Sequence, residues 1–197
     1  MRILDNVLEP AQFSRLKDEL TSSMFSWHYL PNTALQSDHD IGNNFSFINT
    51  VYDVDQLQYD YTGITYDLCV DALKRSLHGM GSELKDLHRV RVNLYTRNHE
   101  HMVHHPHIDD DKRDSFIGIL YITDNVDSPT LVFNEVFDPL KDVNDITSVE
   151  GRTFTIKDVV HSFENRFALF EGNRYHSSTR PTKEDVRINI NYNFTLK

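Results

Sequence analysis

Four residues in the second half of the chain have side-chain types and a spacing that suit metal chemistry. His107 and Asp109 stand two positions apart. His176 lies 67 residues after Asp109, and Arg187 lies 11 residues after His176. Side chains two apart on an extended strand point to the same side, so His107 and Asp109 can offer one nitrogen and one oxygen to a single divalent metal. The predicted third ligand is His176, which would complete a set of two histidines and one carboxylate that leaves other metal positions open.

A neighbouring histidine offers an alternative ligand set. His105 has the same strand parity as His107, and a site that included it would be richer in nitrogen and suit zinc or copper better. The pair His107 and Asp109 is preferred because, with His176 and Arg187, it explains more residues. The other histidines of the loop 96–106 are expected to be solvated, and the alternative is that this loop forms a lid or substrate entry. They are His99, His101 and His104.

Arg187 belongs to a segment, residues 186–194, in which apolar and polar side chains alternate strictly. Its odd positions carry Arg187 and three asparagines, and residues 89–95 alternate in the same way. The polar faces look either at solvent, as in many antiparallel sheets, or into a cavity. Asparagine is depleted in strands, so a polar barrel interior is favoured. An arginine on that face, without an acidic neighbour in sequence, suits a bidentate carboxylate such as that of an anionic cosubstrate.

The elements that must position these residues change character along the chain. Apolar residues at three- and four-residue spacing predict helices over residues 10–25 and 61–77. Period-two patterns predict strands at 44–52, 89–96, 115–123, 130–134, 152–160, 166–170 and 186–195. Residues 35–44 and the acidic segment 135–150 are expected to be loops. Helices followed by strands indicate an α+β protein with helices on one face of a sheet or barrel.

Composition excludes several kinds of protein. The chain has 197 residues, 39% of them hydrophobic, which fits one globular domain. A net charge of −10 argues against binding a nucleic-acid backbone. Cys69 is the single cysteine, so an internal disulfide and the cysteine-rich zinc patterns are excluded, and the residue is expected to be buried packing. No apolar run is long enough to span a membrane, and a soluble, cytoplasmic protein is expected.

The four-part order resembles the Fe(II)/2-oxoglutarate-dependent dioxygenases. In both, a His-x-Asp motif is followed after a long gap by a second histidine. An arginine in a β-strand follows that histidine by about ten residues. Asn-Leu-Tyr at 93–95 and Leu-Phe-Glu-Gly-Asn-Arg-Tyr-His at 169–176 resemble the prolyl-4-hydroxylase-like branch, including its small phage and bacterial members. The resemblance covers roughly residues 89–194. It implies a double-stranded β-helix, or jelly-roll, barrel at 86–197 with helical support at 1–85 in one domain, 1–197.

The same resemblance implies roles for individual residues. His107, Asp109 and His176 would bind Fe(II), and Arg187 would bind the distal carboxylate of 2-oxoglutarate. Further hydroxyl groups for the cosubstrate would come from Tyr95, and from Tyr121 or Thr130. With O₂ as the other cosubstrate and ascorbate as a reductant, 2-oxoglutarate would be decarboxylated to succinate and CO₂ while a substrate C–H bond is hydroxylated. A small residue in place of Asp109 would open a halide site, so the carboxylate favours hydroxylation.

The substrate and the competing functions stay open at this point. A prolyl or other peptidyl residue is the first expectation, a small metabolite is close behind it, and nucleic acid is not expected. The alternative function is a non-catalytic, cupin-like module that binds a metal or a sugar, and a third is an interaction protein that has lost turnover. The cupin-like module does not need Arg187, so this residue discriminates between that module and a 2-oxoglutarate-dependent oxygenase. Nothing in the sequence indicates the oligomeric state.

Overall fold

The structure is a computed structural model that describes residues 1–33, 44–56, 63–109, 114–138 and 152–197. Its two α-helices lie in the first 80 residues. Helix α1 (Pro10–Thr21) begins with a proline, which suits the first turn, and buries Phe13, Leu16 and Leu20 along one stripe. The predicted end at residue 25 is wrong, because Met24 leaves the stripe and is 87% exposed. Helix α2 (Ile64–Gly79) ends just before Gly81, whose φ of 67° is the left-handed conformation that glycine adopts without strain. The predicted start at 61 lies outside the described residues.

Ten strands accompany the helices in the described residues. They are β1 (Arg2–Asp5), β2 (His28–Leu30), β3 (Ser46–Asp53), β4 (Leu84–Thr96), β5 (Ser115–Tyr121), β6 (Asn125–Val136), β7 (Ile156–Ser162), β8 (Arg166–Glu171), β9 (Arg174–Ser178) and β10 (Val186–Leu196). A short 3₁₀ turn, Val54–Gln56, follows β3. All seven predicted strands are present. The sequence patterns missed β1, β2 and β9, which have three to five residues each and are too short for a periodic signal.

The strands form two antiparallel sheets. The larger sheet has the order β1-β8-β5-β10-β4-β3-β2, and the smaller one has the order β7-β6-β9. The long strands β10 and β4 pair over their whole length in the middle of the large sheet. Three strands of the large sheet, β1, β2 and β3, come from residues before position 85, which also contain both helices. Mostly antiparallel sheets of this arrangement with two covering helices are a double-stranded β-helix, as predicted.

The alternation in β4 and β10 divides the interior into two layers. The outward faces of these strands, including Val90, Val92 and Ile190, pack with α1 and α2 in the main hydrophobic core. A smaller apolar cluster joins the two sheets through residues such as Ile119 and Val132. The inward faces of β4 and β10 carry polar side chains and border the space between the sheets. The described helices include none with the length and apolar character needed to cross a membrane.

Candidate metal and cosubstrate site

Paired polar residues of β10 and β4 line the inside of the barrel. The register joins Arg187 to Tyr95, Asn189 to Asn93, Asn191 to Arg91 and Asn193 to Arg89. All four β10 members are buried, with exposed fractions between 0% and 7%. The interior face predicted from the alternation is therefore confirmed, and the solvent-facing alternative is excluded. Asparagine is tolerated here because the side chains bond to one another, as when Asn93 Nδ2 donates to Asn189 Oδ1 at 3.1 Å.

The two histidines of the predicted ligand set face each other across a short antiparallel bridge. The His107 amide donates to the His176 carbonyl at 3.0 Å, and the His176 amide donates to the His107 carbonyl at 2.9 Å. His176 belongs to β9, and the segment that contains His107 runs along the free edge of that strand. A further bridge joins Val103 to Thr179. Backbone pairing thus brings together two residues that lie far apart in sequence.

The side chains of His107, Asp109 and His176 form a compact cluster. One ligand atom from each lies within 4.8 Å of the others. His107 Nε2 lies 3.8 Å from Asp109 Oδ1, and His176 Nε2 lies 3.5 Å from Asp109 Oδ2. Among the described residues these three are the group that could hold a metal ion, and His105 is not part of it.

Both rings are oriented by backbone carbonyl groups. The Nδ1 atoms of His107 and His176 lie 3.1 and 3.2 Å from the carbonyl oxygens of His105 and Arg174. A carbonyl oxygen only accepts hydrogen bonds, so each Nδ1 carries a proton and each Nε2 is turned towards Asp109. Burial, followed by the neighbouring His176, lowers the pKa of His107 to about 4. Near neutral pH its Nε2 therefore presents a lone pair to the carboxylate, which is an arrangement that a cation between them would stabilise.

Asp109 is held in place by three side chains of the polar layer. Arg89 donates to Oδ1 at 3.2 Å, Asn191 donates to Oδ2 at 2.5 Å, and Asn193 donates to the backbone carbonyl at 3.2 Å. Burial acts to raise the pKa of Asp109, but the adjacent His176 imidazole and the charge of Arg89 outweigh it and hold the pKa well below its ordinary value. Asp109 is therefore an oriented, ionised carboxylate.

Arg187 is fully buried, with 0% of its surface exposed. Its guanidinium donates to Thr130 Oγ1 at 2.7 Å and to the Thr179 carbonyl at 3.4 Å. Its Nε has no hydrogen-bond partner, and no carboxylate forms an ion pair with it in the described part of the chain. A buried charge without a counter-ion is energetically costly. An anionic ligand bound at Arg187 would therefore be stabilising.

The hydroxyl-bearing residues predicted for the cosubstrate surround Arg187. The guanidinium lies 5.4 Å from the ring centre of Tyr95 and 5.6 Å from that of Tyr121. The Tyr121 hydroxyl donates to Thr130 Oγ1 at 2.8 Å, and Thr130 also accepts from Arg187. The two rings and the threonine therefore fix the position of the guanidinium.

One cavity joins the histidines to Arg187. Both sheets contribute to its wall, which includes Arg91, Tyr95, His107, Thr130, His176, Ser178, Arg187, Asn189 and Asn191. Several buried polar atoms of this wall have no hydrogen-bond partner in the described structure, among them Arg91 Nε, Asn191 Oδ1 and Ser178 Oγ. Buried polar atoms are ordinarily satisfied, so a cavity lined by unsatisfied ones is suited to a polar ligand.

His104 departs from the expectation for the loop 96–106. His99 and His101 are exposed, as expected, but His104 is 1% exposed, and its Nδ1 is hydrogen-bonded to Asn44 Oδ1. Burial lowers the pKa of His104 to about 3, with the charges of nearby basic groups adding to the effect. Its ring lies 5.4 Å from that of Tyr95, so it packs behind the cavity wall. No local pattern signals this burial, because Asn44 comes from a distant segment.

Sequence reasoning also missed the supporting roles of Arg89, Asn191 and Asn193. The signal was present, since all three lie on the polar faces that the alternation identified. Their partners were not visible, because each bond joins segments that are far apart in the chain.

Neither a protein-family model nor a curated protein sequence matches the chain. Solved structures do match it in fold. The non-heme α-ketoglutarate-dependent epimerase SnoN from nogalamycin biosynthesis has a TM-score of 0.63 at 13% identity, over 98% of this chain and 77% of that one. A 2OG-Fe(II) oxygenase-family oxidoreductase from Burkholderia pseudomallei has a TM-score of 0.62 at 13% identity, over 98% and 84%. A Pseudomonas putida prolyl-4-hydroxylase has a TM-score of 0.51 at 10% identity, over 98% and 91%. The chain has the double-stranded β-helix fold of the 2-oxoglutarate- and Fe(II)-dependent oxygenases.

Proposed function

We propose that the chain is an Fe(II)- and 2-oxoglutarate-dependent dioxygenase that hydroxylates an unactivated C–H bond. The observation that carries this proposal is the sharing of one cavity by a two-histidine, one-carboxylate cluster and a fully buried arginine with no anionic partner in the described structure. The fold comparison supports it, because the matched structures named above bear this cofactor chemistry in their names.

The donor atoms fit the metal. His107, Asp109 and His176 would bind Fe(II) through two Nε2 atoms and one carboxylate oxygen, on one side of the ion. The carbonyl groups of His105 and Arg174 orient the rings, and Asn191 and Arg89 orient the carboxylate. Such supporting bonds fix ring direction and ligand basicity.

The pocket around Arg187 fits the distal carboxylate of 2-oxoglutarate. Its guanidinium offers an unused Nε, and Thr130 lies beside it. Tyr95 and Tyr121 flank the guanidinium and exclude water from it. A carboxylate there would cancel the buried charge and form a charge-assisted pair, which is about twice as strong as a neutral hydrogen bond.

The chemistry supplied by bound iron, 2-oxoglutarate and O₂ is the oxidation of a C–H bond to C–OH, coupled to conversion of the cosubstrate into succinate and CO₂. The chain's part is to hold the dianionic cosubstrate at one end through Arg187 and to present the metal ligands at the other. Ascorbate belongs to the proposal as a reductant that keeps iron in its ferrous form. The proposed substrate is a prolyl or other peptidyl residue or a small metabolite. The proposal also treats residues 1–197 as one cytoplasmic oxygenase domain.

Arg187→Met tests the cosubstrate site. Loss of two charge-assisted hydrogen bonds, each contributing about 1.5–3 kcal/mol, should weaken 2-oxoglutarate binding by about a hundred-fold or more. Calorimetric titration of 2-oxoglutarate into the Mn(II)-loaded protein measures this without a prime substrate. The apo variant should melt no lower than wild type, because the change removes a buried charge that has no counter-ion in the described structure.

The exposed Arg97, which pairs with Asp185 at the surface, supplies the matched control Arg97→Met, and this variant should bind 2-oxoglutarate normally. If the wild-type protein with Mn(II) shows no affinity for 2-oxoglutarate, the proposed function is wrong. A cupin-like, non-catalytic module would then be favoured, and that reading needs metal binding but no role for Arg187. Loss of Mn(II) binding in Asp109→Ala tests the metal cluster separately.

A further inference from the structure

The cavity contains a second arginine that the proposed function does not use. Arg91 lies on β4 with its side chain in the cavity wall, in register with Asn191 and therefore at the level of Asp109. Its Nε is buried and has no hydrogen-bond partner, and no ion pair involves its guanidinium among the residues that the structure describes. After burial and His176, the charge of Arg91 adds to the lowering of the His107 pKa, and the charge of Asp109 acts to raise the pKa of Arg91. Arg91 therefore lies beside the metal ligands and not at the Arg187 end of the cavity.

The other two arginines of the polar layer, Arg89 and Arg187, already form hydrogen bonds in the site. Arg89 is bonded to Asp109 and Asn193, and Arg187 is bonded to Thr130 at the far end of the polar layer. Arg91 lies four residues along β4 from Tyr95, the residue that pairs with Arg187, and the strand rises about 3.3 Å per residue. A carboxylate bound at Arg187 is therefore at the other end of the polar layer from Arg91 and does not neutralise its charge.

Charge balance indicates what Arg91 lacks. With a divalent metal and dianionic 2-oxoglutarate bound, the positive charges of the metal and the three arginines exceed the negative charges of Asp109 and the cosubstrate. Counting Asp53, whose charge also reaches Arg91, leaves positive charge in excess among the described residues. An arginine whose Nε is buried and unpartnered is stabilised by an oxyanion that its planar fork can bind bidentately.

We infer that Arg91 binds a carboxylate of the prime substrate, close to the carbon that is hydroxylated. This inference rests on the proposed function and narrows its substrate class to molecules with a free acid group. Asn93, Asn189 and Asn191 line the same cavity and can bond to an amide or amine beside that carboxylate. The inference disfavours a prolyl residue inside a peptide, which has no carboxylate, and favours a free amino or organic acid or a chain-terminal residue.

Acetate is a probe that consists of a carboxylate and one methyl group, and acetamide is its neutral counterpart. With Mn(II) and saturating 2-oxoglutarate under nitrogen, the paramagnetic metal should broaden the methyl resonance of acetate held near it in fast exchange. The broadening should fall in Arg91→Met, with an affinity loss of about ten- to hundred-fold, and return in part in Arg91→Lys. Acetamide should show little broadening, and the exposed Arg97→Met should behave as wild type. An inorganic phosphate titration that displaces acetate would assign the site to phosphate-bearing substrates instead and overturn the carboxylate assignment.

Two further results would overturn the inference. One is acetate broadening that is absent in the wild-type complex or undiminished in Arg91→Met. The other is a loss of 2-oxoglutarate affinity in Arg91→Met that equals the loss in Arg187→Met, which would assign Arg91 to the cosubstrate. The calorimetric titration of 2-oxoglutarate separates these outcomes from failure of the proposed function itself, because only the latter removes cosubstrate binding from the wild-type protein.

Discussion

Asn191→Leu should weaken metal binding although Asn191 is not itself a predicted ligand. Its Nδ2 donates to Asp109 Oδ2 at 2.5 Å, and both side chains are almost wholly buried, with exposed fractions of 7% and 5%. Water cannot readily take the place of this donor, and a hydrogen bond to a charged group contributes about 1.5–3 kcal/mol. The dissociation constant for Mn(II) should therefore rise by about ten- to hundred-fold, the range expected for residues that support metal ligands.

The stability of the apo protein should respond differently. Asn191 Oδ1 has no hydrogen-bond partner in the described structure, and leucine removes this unsatisfied acceptor together with the bond to Asp109. The two effects oppose each other, so the melting temperature of the metal-free variant should lie within about 4 °C of wild type. Reduced metal affinity without a matching loss of stability is the signature of a supporting residue.

Asn189→Leu is the matched control. Asn189 lies on the same strand and the same face, two positions away, and bonds to Asn93 and not to Asp109. Calorimetric titration of Mn(II) into both apo variants and the wild type measures the difference. Equal affinities for all three proteins would refute the role of Asn191, and so would an equal loss in both variants, which would indicate a general effect of leucine in the cavity.

Three further predictions concern other parts of the structure. His105→Ala should leave Mn(II) affinity unchanged in the same titration, because it is the backbone carbonyl of residue 105 that orients His107; a large loss would restore the alternative ligand set. Burial raises the pKa of the Cys69 thiol to about 12, so the native protein should resist a thiol reagent that labels it rapidly after denaturation, and fast native labelling would contradict this. Gly118→Val should lower the free energy of unfolding by about 1–3 kcal/mol in a urea titration, because even a Cβ at this position would lie 2.4 Å from the Phe167 ring.

Sequence patterns were most informative where one strand carries two chemically distinct faces. The alternation in β10 predicted both the strand and the buried polar face that holds Arg187, because period-two patterning is local and survives without knowledge of the partner strands. The spacing of His107 and Asp109 was equally local. Both features depend on residues close together in sequence, and both correspond to what the structure shows of position and burial.

The features that the sequence did not predict are either too short for a periodic pattern or depend on partners distant in the chain. Strand β9, which carries His176, is five residues long and buried on both sides, so it has no alternation to detect. His104 lies in a loop, and its burial depends on Asn44, which stands 60 positions earlier in the chain. The support of Asp109 by Asn191 joins residues 82 positions apart, and only the tertiary structure reveals it.

The backbone bridge between His107 and His176 has a consequence for how metal and fold depend on each other. In many small metal-binding domains the ion itself ties distant segments together, and its removal unfolds the chain. Here reciprocal hydrogen bonds already tie the two ligand segments, so the entropy of closing that long loop is lost during folding and not on metal binding. The ion would meet a preassembled site, and a chelator should empty it without melting the barrel. The amides of His107 and His176 should then remain protected from hydrogen exchange in the metal-free protein.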